Sequence, residues 1–282
     1  MKRFFTAAEK FYLGLVLFLM YVPILLVIVY SFNASRISSV WSGFSLRWYI
    51  EMFRDRALFE ALRNSLVLGT GASFAAAAIG ALAATGMSRA RLPGGKVMEF
   101  LAILPIMTPE IILAMVSLAF FSLLALPFGM LTLMIAHTAM CIPYPYLLVK
   151  ARLEGLDPSF VEAARVMGAG EWRAFYDITL PLIMPAVVSG ILISFAMSFD
   201  DVIISVFVTG VETNTLPVRI YTQMKFGVTP KINALCTLLF AATAALALLS
   251  ARLALPRRAD RKAKRAARRT ESISIPLKGE AA

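Results

Sequence analysis

Charged residues along this chain leave six long apolar gaps between them, and a helix needs about 20 apolar residues to cross the hydrocarbon core of a bilayer. The first gap runs from Phe11 to about Phe32, between Lys10 and Arg36. The second, between Arg63 and Arg89, is rich in Ala and Gly, and Gly69, Gly71, Gly80 and Gly86 suit close helix packing in lipid. From Ile111 to Val149 no residue is charged, and the turn signal Pro127, Phe128, Gly129 divides the stretch. Only 15 residues, Ile111 to Ala125, precede that turn, too few to cross at about 1.5 Å per residue. The third span is therefore expected to begin near Phe100 and to carry Glu110 inside the membrane. The fourth is expected from Met130 to Val149 and the fifth from Leu182 to about Phe207, with Asp200 and Asp201 in its outer half. The sixth is expected from Ile232 to Ala251. The pattern predicts an all-α integral membrane protein with six transmembrane helices.

Composition agrees with the pattern: 59% of the 282 residues are hydrophobic, 16% are charged and the mean hydropathy is +0.76. A soluble domain needs more polar surface than this. With the N-terminus inside, 20 of the 28 Lys and Arg fall on the cytoplasmic side, ten of them from Arg252 to Lys278. By the positive-inside rule both termini are then expected in the cytoplasm. The tail also explains the net charge of +11. A basic segment directly after a span anchors to anionic lipid and sets orientation, so membrane lipid and no nucleic acid is the expected partner. The N-terminal apolar run is longer than a signal-peptide core and is read as an uncleaved first span.

Several chemistries lack their residues. The single histidine, His137, has no second ligand at metal spacing, so no metal site is expected and a satisfied intramembrane histidine is the better reading. No G-x-x-x-x-G-K-[ST] loop occurs, the nearest stretch being Pro93, Gly94, Gly95, Lys96. Nor is there a nucleophile elbow. The chain is expected to bind no cofactor and to hydrolyse no ATP by itself. Cys141 and Cys236 lie in apolar spans and act as small hydrophobes.

Between the fourth and fifth spans lies the longest internal cytoplasmic segment. Asp157 before Pro158, and Ser159 three residues ahead of Glu162, are helix-start signals. They predict a short helix from Pro158 to Met167 that stops at Gly168, with Phe160, Ala163, Ala164 and Met167 on one side. A second amphipathic stretch, Glu171 to Ile178, leads through Leu180 and Pro181 into the fifth span. Amphipathicity alone also fits a helix pair lying on the bilayer surface.

Glu162, Ala163, Ala164, Gly168, Ile178, Leu180 and Pro181, seven fixed residues over twenty positions, match the EAA motif, and the segment resembles the coupling loop of permease subunits in binding-protein-dependent ABC importers. Beyond the loop, the chain most resembles permeases of spermidine and putrescine importers. That likeness is carried by Tyr30 to Ser35 (YSFNAS), Arg47 to Tyr49, Thr108 to Ile111 (TPEI), Ser198 to Asp201 (SFDD), Ser205 to Gly210 (SVFVTG) and Asn233 to Leu235. Related sequences often have Asp where this one has Glu110.

The resemblance implies a type I ABC importer permease fold in the bacterial inner membrane, working by alternating access. It implies docking of the ATPase on Phe160, Glu162, Ala163, Ala164, Met167 and Gly168. The partners it implies are two ATP-binding subunits that use ATP and Mg, a second homologous permease and an extracytoplasmic substrate-binding protein. Residues 1–60 are expected to hold the first span and an outer loop, 61–252 the transmembrane core with the coupling loop at 157–181, and 253–282 a disordered basic tail. An ionisable residue inside a membrane faces a pathway or a charged partner, and no intramembrane Lys or Arg accompanies Glu110, Asp200 and Asp201. A polycationic amine supplies the missing charge, with Phe199 or Tyr221 adding cation–π attraction. The competing expectations are an ABC permease for ferric iron, thiamine or sulfate, and a self-sufficient cation channel or carrier.

Overall fold

The computed structural model describes residues 2–36, 40–89, 94–157, 159–227 and 229–254. Pro158, Pro93, Arg91 and the basic tail from residue 255 lie outside the described residues. Every element named below is helical, and among the described residues the one strand-like contact is an isolated bridge between Asn33 and Phe44. The chain divides into two compact units, Met1–Met52 with Thr229–Ala282, and Phe53–Val228.

In the first unit, α1 (Lys2–Ser31) packs against α13 (Pro230–Ala254). Phe11, Tyr12 and Phe18 of α1 stay exposed, as side chains facing lipid do. At its end the YSFNAS stretch folds into a knot around Asn33, which is fully buried. The Asn33 amide donates to the Val40 carbonyl (2.7 Å), its Oδ1 accepts the N–H groups of Ser35 and Ser42, and its own carbonyl accepts from the Trp48 indole (2.7 Å). The short α2 (Arg47–Phe53), carrying Trp48, follows.

The second unit is built on α3 (Arg56–Arg89), which packs against α6 (Met130–Cys141), α7 (Pro143–Glu154) and α10 (Leu180–Asp200). Its small residues bring the backbones together. A Cβ on Gly80 of α3 would stand 2.8 Å from the Tyr146 nitrogen, and one on Gly190 of α10 would stand 2.7 Å from the Pro145 Cα. Pro145 of α7 is therefore wedged between two glycines, as expected where backbone approach drives association in lipid. A second cluster, Leu68, Ala114, Phe121, Leu133, Ile204 and Val208, joins α3 to α5 (Glu110–Leu123), α6 and α11 (Ile203–Val208). The remaining elements are α4 (Gly95–Met107), α8 (Ser159–Val166), α9 (Glu171–Ala174) and α12 (Leu216–Lys225).

The expectation of six transmembrane helices is not met. Among the described residues four helices are long and apolar enough to cross: Glu9–Ser31, Arg56–Ser88, Met130–Glu154 and Glu171–Asp200. A fifth exists only if α4 and α5 count as one broken span, and those two are bent by 110°. Pro109 explains the break, since it removes a backbone donor and disfavours helix at Thr108. Thr108 is extended (φ −96°, ψ 132°). The expected sixth span falls short because the described apolar part of α13 is only Pro230–Ala245. The placement of both termini in the cytoplasm needs an even number of crossings, which four spans keep and five do not. The fifth span also differs from expectation. It begins upstream at Glu171 and ends at Asp200, because Asp201 is extended (φ −65°, ψ 130°) and a new helix, α11, begins at Ile203.

Candidate functional site: a docking loop and an acidic helix break

The loop after α7 folds as short helices whose ends are set by individual residues. Asp157 accepts the Ser159 N–H on Oδ1 (2.9 Å), which holds its carboxyl below the usual carboxylate range. A lowered folded value means that this cap holds at neutral pH and is lost only as pH falls through that value. The expected helix Pro158–Met167 is observed as Ser159–Val166. At its end Gly168 takes the left-handed conformation (φ +85°), donating to the Arg165 carbonyl while Ala169 donates to that of Ala164, both at 2.9 Å. These two bonds make a Schellman cap, which needs a residue that adopts positive φ without strain.

Of the expected docking residues, only Ala164 is buried, and α8 packs on α9 and the turn after it. Glu162 and Ala163 are exposed, and so are Phe160, Met167 and Val166, the last two at 87% and 88%. Trp172 is 77% exposed and stacks on Tyr176 with centroids 6.4 Å apart. The loop thus presents bulky apolar side chains that nothing in the chain covers among the described residues. α9 runs through a π-helical turn, Phe175–Thr179, directly into α10, so Glu171–Asp200 is one helix of 30 residues, about 45 Å long.

At the far end of that helix the two neighbouring aspartates differ. Asp200 is exposed and has no ion pair or side-chain hydrogen bond among the described residues. Asp201 is buried, its side chain 3% exposed. Its Oδ1 accepts the Ile204 N–H (3.2 Å) and its Oδ2 the Ser205 N–H (2.8 Å), with His137 Nε2 3.4 Å from Oδ2. His137 is fully buried. Its Nδ1 is 2.8 Å from Ser198 Oγ and its Nε2 3.1 Å from Ser205 Oγ. The satisfied histidine expected from the sequence is found. Its partners were not expected, and the signal for them is the pair of hydroxyl residues, Ser198 and Ser205, that flank Asp201 on either side of the break.

The other expected pathway residues are dispersed. Glu110 opens α5 and is exposed, without a side-chain partner among the described residues, and α5 packs against α11. Phe199 is half-buried and stacked on Phe195 at 5.7 Å. Tyr221 on α12 already carries a cation, with Lys225 Nζ 4.7 Å from its ring centroid. No cluster of three His, Cys, Asp or Glu able to hold a metal occurs among the described residues. A cavity of about 610 Å³ lies between α3, α4 and α7, where Lys150 pairs with Glu99 and approaches Glu154 at 3.9 Å.

Residues 76–261 match the family of binding-protein-dependent transport system inner membrane components. The chain belongs to that family. It is a permease subunit of an ABC importer, a multi-pass protein of the inner membrane. The permease is 37% identical over 250 residues to the spermidine/putrescine transport system permease protein PotC of Haemophilus influenzae, covering 89% of this chain and 96% of that one. It is 40% identical over 230 residues to the putrescine transport system permease protein PotI of Escherichia coli K12, covering 79% and 82%. Among solved structures, a chain of a bacterial alginate ABC transporter in complex with an alginate pentasaccharide-bound periplasmic protein superposes with a TM-score of 0.68. The identity there is 16%, and the match covers 89% of the permease and 93% of that chain. At that identity the likeness speaks for the fold.

Proposed function

We propose that the permease carries polyamines, putrescine and spermidine, across the inner membrane by alternating access, driven by ATP hydrolysed on partner subunits. The observation that carries this reading is the match, over 89% of the chain, to a permease whose name specifies spermidine and putrescine. The chemistry agrees with it. Glu110 and Asp200 are exposed carboxylates on a membrane protein, and unpaired intramembrane acids are costly unless they serve a charged solute. Phe199, beside Asp200, offers a ring face to an alkylammonium.

In this reading two ATP-binding subunits, which take up ATP and Mg, engage two permeases, this one and a homologous partner. A substrate-binding protein delivers the amine from outside. Phe160, Glu162, Ala163, Ala164, Met167 and Gly168 dock one ATPase: the aromatic and thioether side chains fill an apolar groove, Ala163 permits close approach, and Glu162 meets a basic residue. The continuous helix Glu171–Asp200 then carries the motion of the loop to the acidic break. Uptake of labelled putrescine and spermidine by a strain deleted for this permease tests the reading. Loss of uptake, restored by the cloned chain, is expected. Unchanged polyamine uptake with lost uptake of ferric iron, thiamine or sulfate overturns the solute. A Glu162→Arg variant is expected to insert normally and to recover less ATPase on purification.

A further inference from the structure

Two adjacent carboxylates stand at the end of α10, and their surroundings give them different work. Asp201 has three direct partners, two backbone N–H groups of α11 and His137, and that imidazole in turn meets the hydroxyls of Ser198 and Ser205. Ser198 belongs to α10, Ser205 to α11 and His137 to α6, so a single ring crosses the break from a third helix. The other end of α11 is tied to α6 as well, because the Thr132 hydroxyl donates to the Val208 carbonyl at 3.0 Å. Thr132 and His137 are five residues apart, about 7.5 Å along α6, and the six residues of α11 span about 9 Å. The short helix is thus held at both ends by one neighbour.

A buried carboxylate engaged in this way has no face left for a solute. Its charge could meet an ammonium group only if the cap on α11 came undone, which would leave two buried backbone donors without partners. Asp200, one residue earlier, has the opposite surroundings and no such ties.

We propose that His137, Ser198 and Ser205 are positioning residues that act through Asp201: they lock the break between α10 and α11 and so hold Asp200 out as the one member of the pair that meets the transported cation. This deepens the polyamine reading and rests on it for the identity of the cation. The lock itself does not depend on which cation is carried.

Glu variants separate the two aspartates. Glu keeps the charge at either position, but its longer side chain does not fit the contacts of Asp201, where Oδ1 takes one backbone N–H and Oδ2 another. In the full complex in proteoliposomes, Asp200→Glu is expected to keep uptake within about threefold of wild type, while Asp201→Glu, Asp201→Ala and Asp200→Asn each lose more than about tenfold. Equal losses for Asp200→Glu and Asp201→Glu overturn the division of labour. Thiol labelling, read on assembled complex only, covers variants that transport poorly. With Cys141 and Cys236 changed to Ala, a cationic methanethiosulfonate reagent is expected to modify Asp200→Cys at least about tenfold faster than Asp201→Cys. Adding His137→Gln is expected to change the rate at Asp200→Cys by about fivefold or more and to leave a control at Val211→Cys, a site 97% exposed, unchanged. An unchanged rate at Asp200→Cys overturns the positioning role. Protection of Asp200→Cys by putrescine tests the polyamine reading separately. Its absence with the labelling pattern intact defeats the solute and leaves the lock standing.

Discussion

Val166 and Met167, at the end of the short helix before Glu171, are almost fully exposed, whereas His137, beside the other end of the Glu171–Asp200 helix, is not exposed at all. Both regions were picked out from the sequence by unusual residues in an apolar chain. One is a surface waiting for a partner, the other a joint already closed. In the loop the polar contacts are exposed ion pairs, such as Arg165 with Glu171 at 3.3 Å, and the large apolar groups point outward. At the joint every side-chain polar atom of His137 and Asp201 has a partner inside the chain. Substitutions in the loop should therefore change association and spare the fold, while substitutions at the joint should change the fold first.

The largest effect is expected at the joint. His137→Ala leaves Asp201 and the buried hydroxyls of Ser198 and Ser205 without their ring partner, and each buried polar group left unsatisfied costs about 1–3 kcal/mol. A clear fall in the thermal unfolding temperature of the purified permease checks this, and an unaltered temperature breaks the comparison. The loop comes next. Covering a side chain the size of Met167 is worth about 1.5–3 kcal/mol, so Met167→Asp is expected to weaken ATPase binding about ten- to a hundredfold with the unfolding temperature unchanged. Titration of the ATPase against permease in nanodiscs measures it. The smallest effect belongs to Arg165→Ala, whose ion pair is exposed on both sides and is worth at most about 1 kcal/mol. A large loss of stability there would show that α8 is held by more than its buried Ala164 and its two caps.

The loop was more legible in the sequence than the spans were. Asp157, Ser159 and Gly168 signal helix ends through local hydrogen bonds and backbone freedom, and such signals survive without knowledge of tertiary contacts. Span counting failed where local and long-range constraints compete. Pro109 turns the third apolar gap by 110°, which a count of apolar residues does not register. The fifth gap read as continuous because Asp200 and Asp201 look alike in sequence. Their difference arises from His137, more than sixty residues earlier, and no periodicity links the two. The glycines of α3 read correctly as a packing face at Gly80, yet Gly86 meets nothing within 4 Å, since composition marks a helix as able to pack without saying where.

The central claim, that this chain is the membrane path for polyamines and is powered through its loop, is tested most directly with the purified complex in proteoliposomes. Labelled putrescine and its loaded binding protein are supplied outside, and ATP is enclosed. The account predicts accumulation that requires ATP and is lost when Met167→Asp is present in an otherwise folded permease. Putrescine uptake by this chain without any ATPase, or ATP-driven uptake that excludes polyamines, would contradict it.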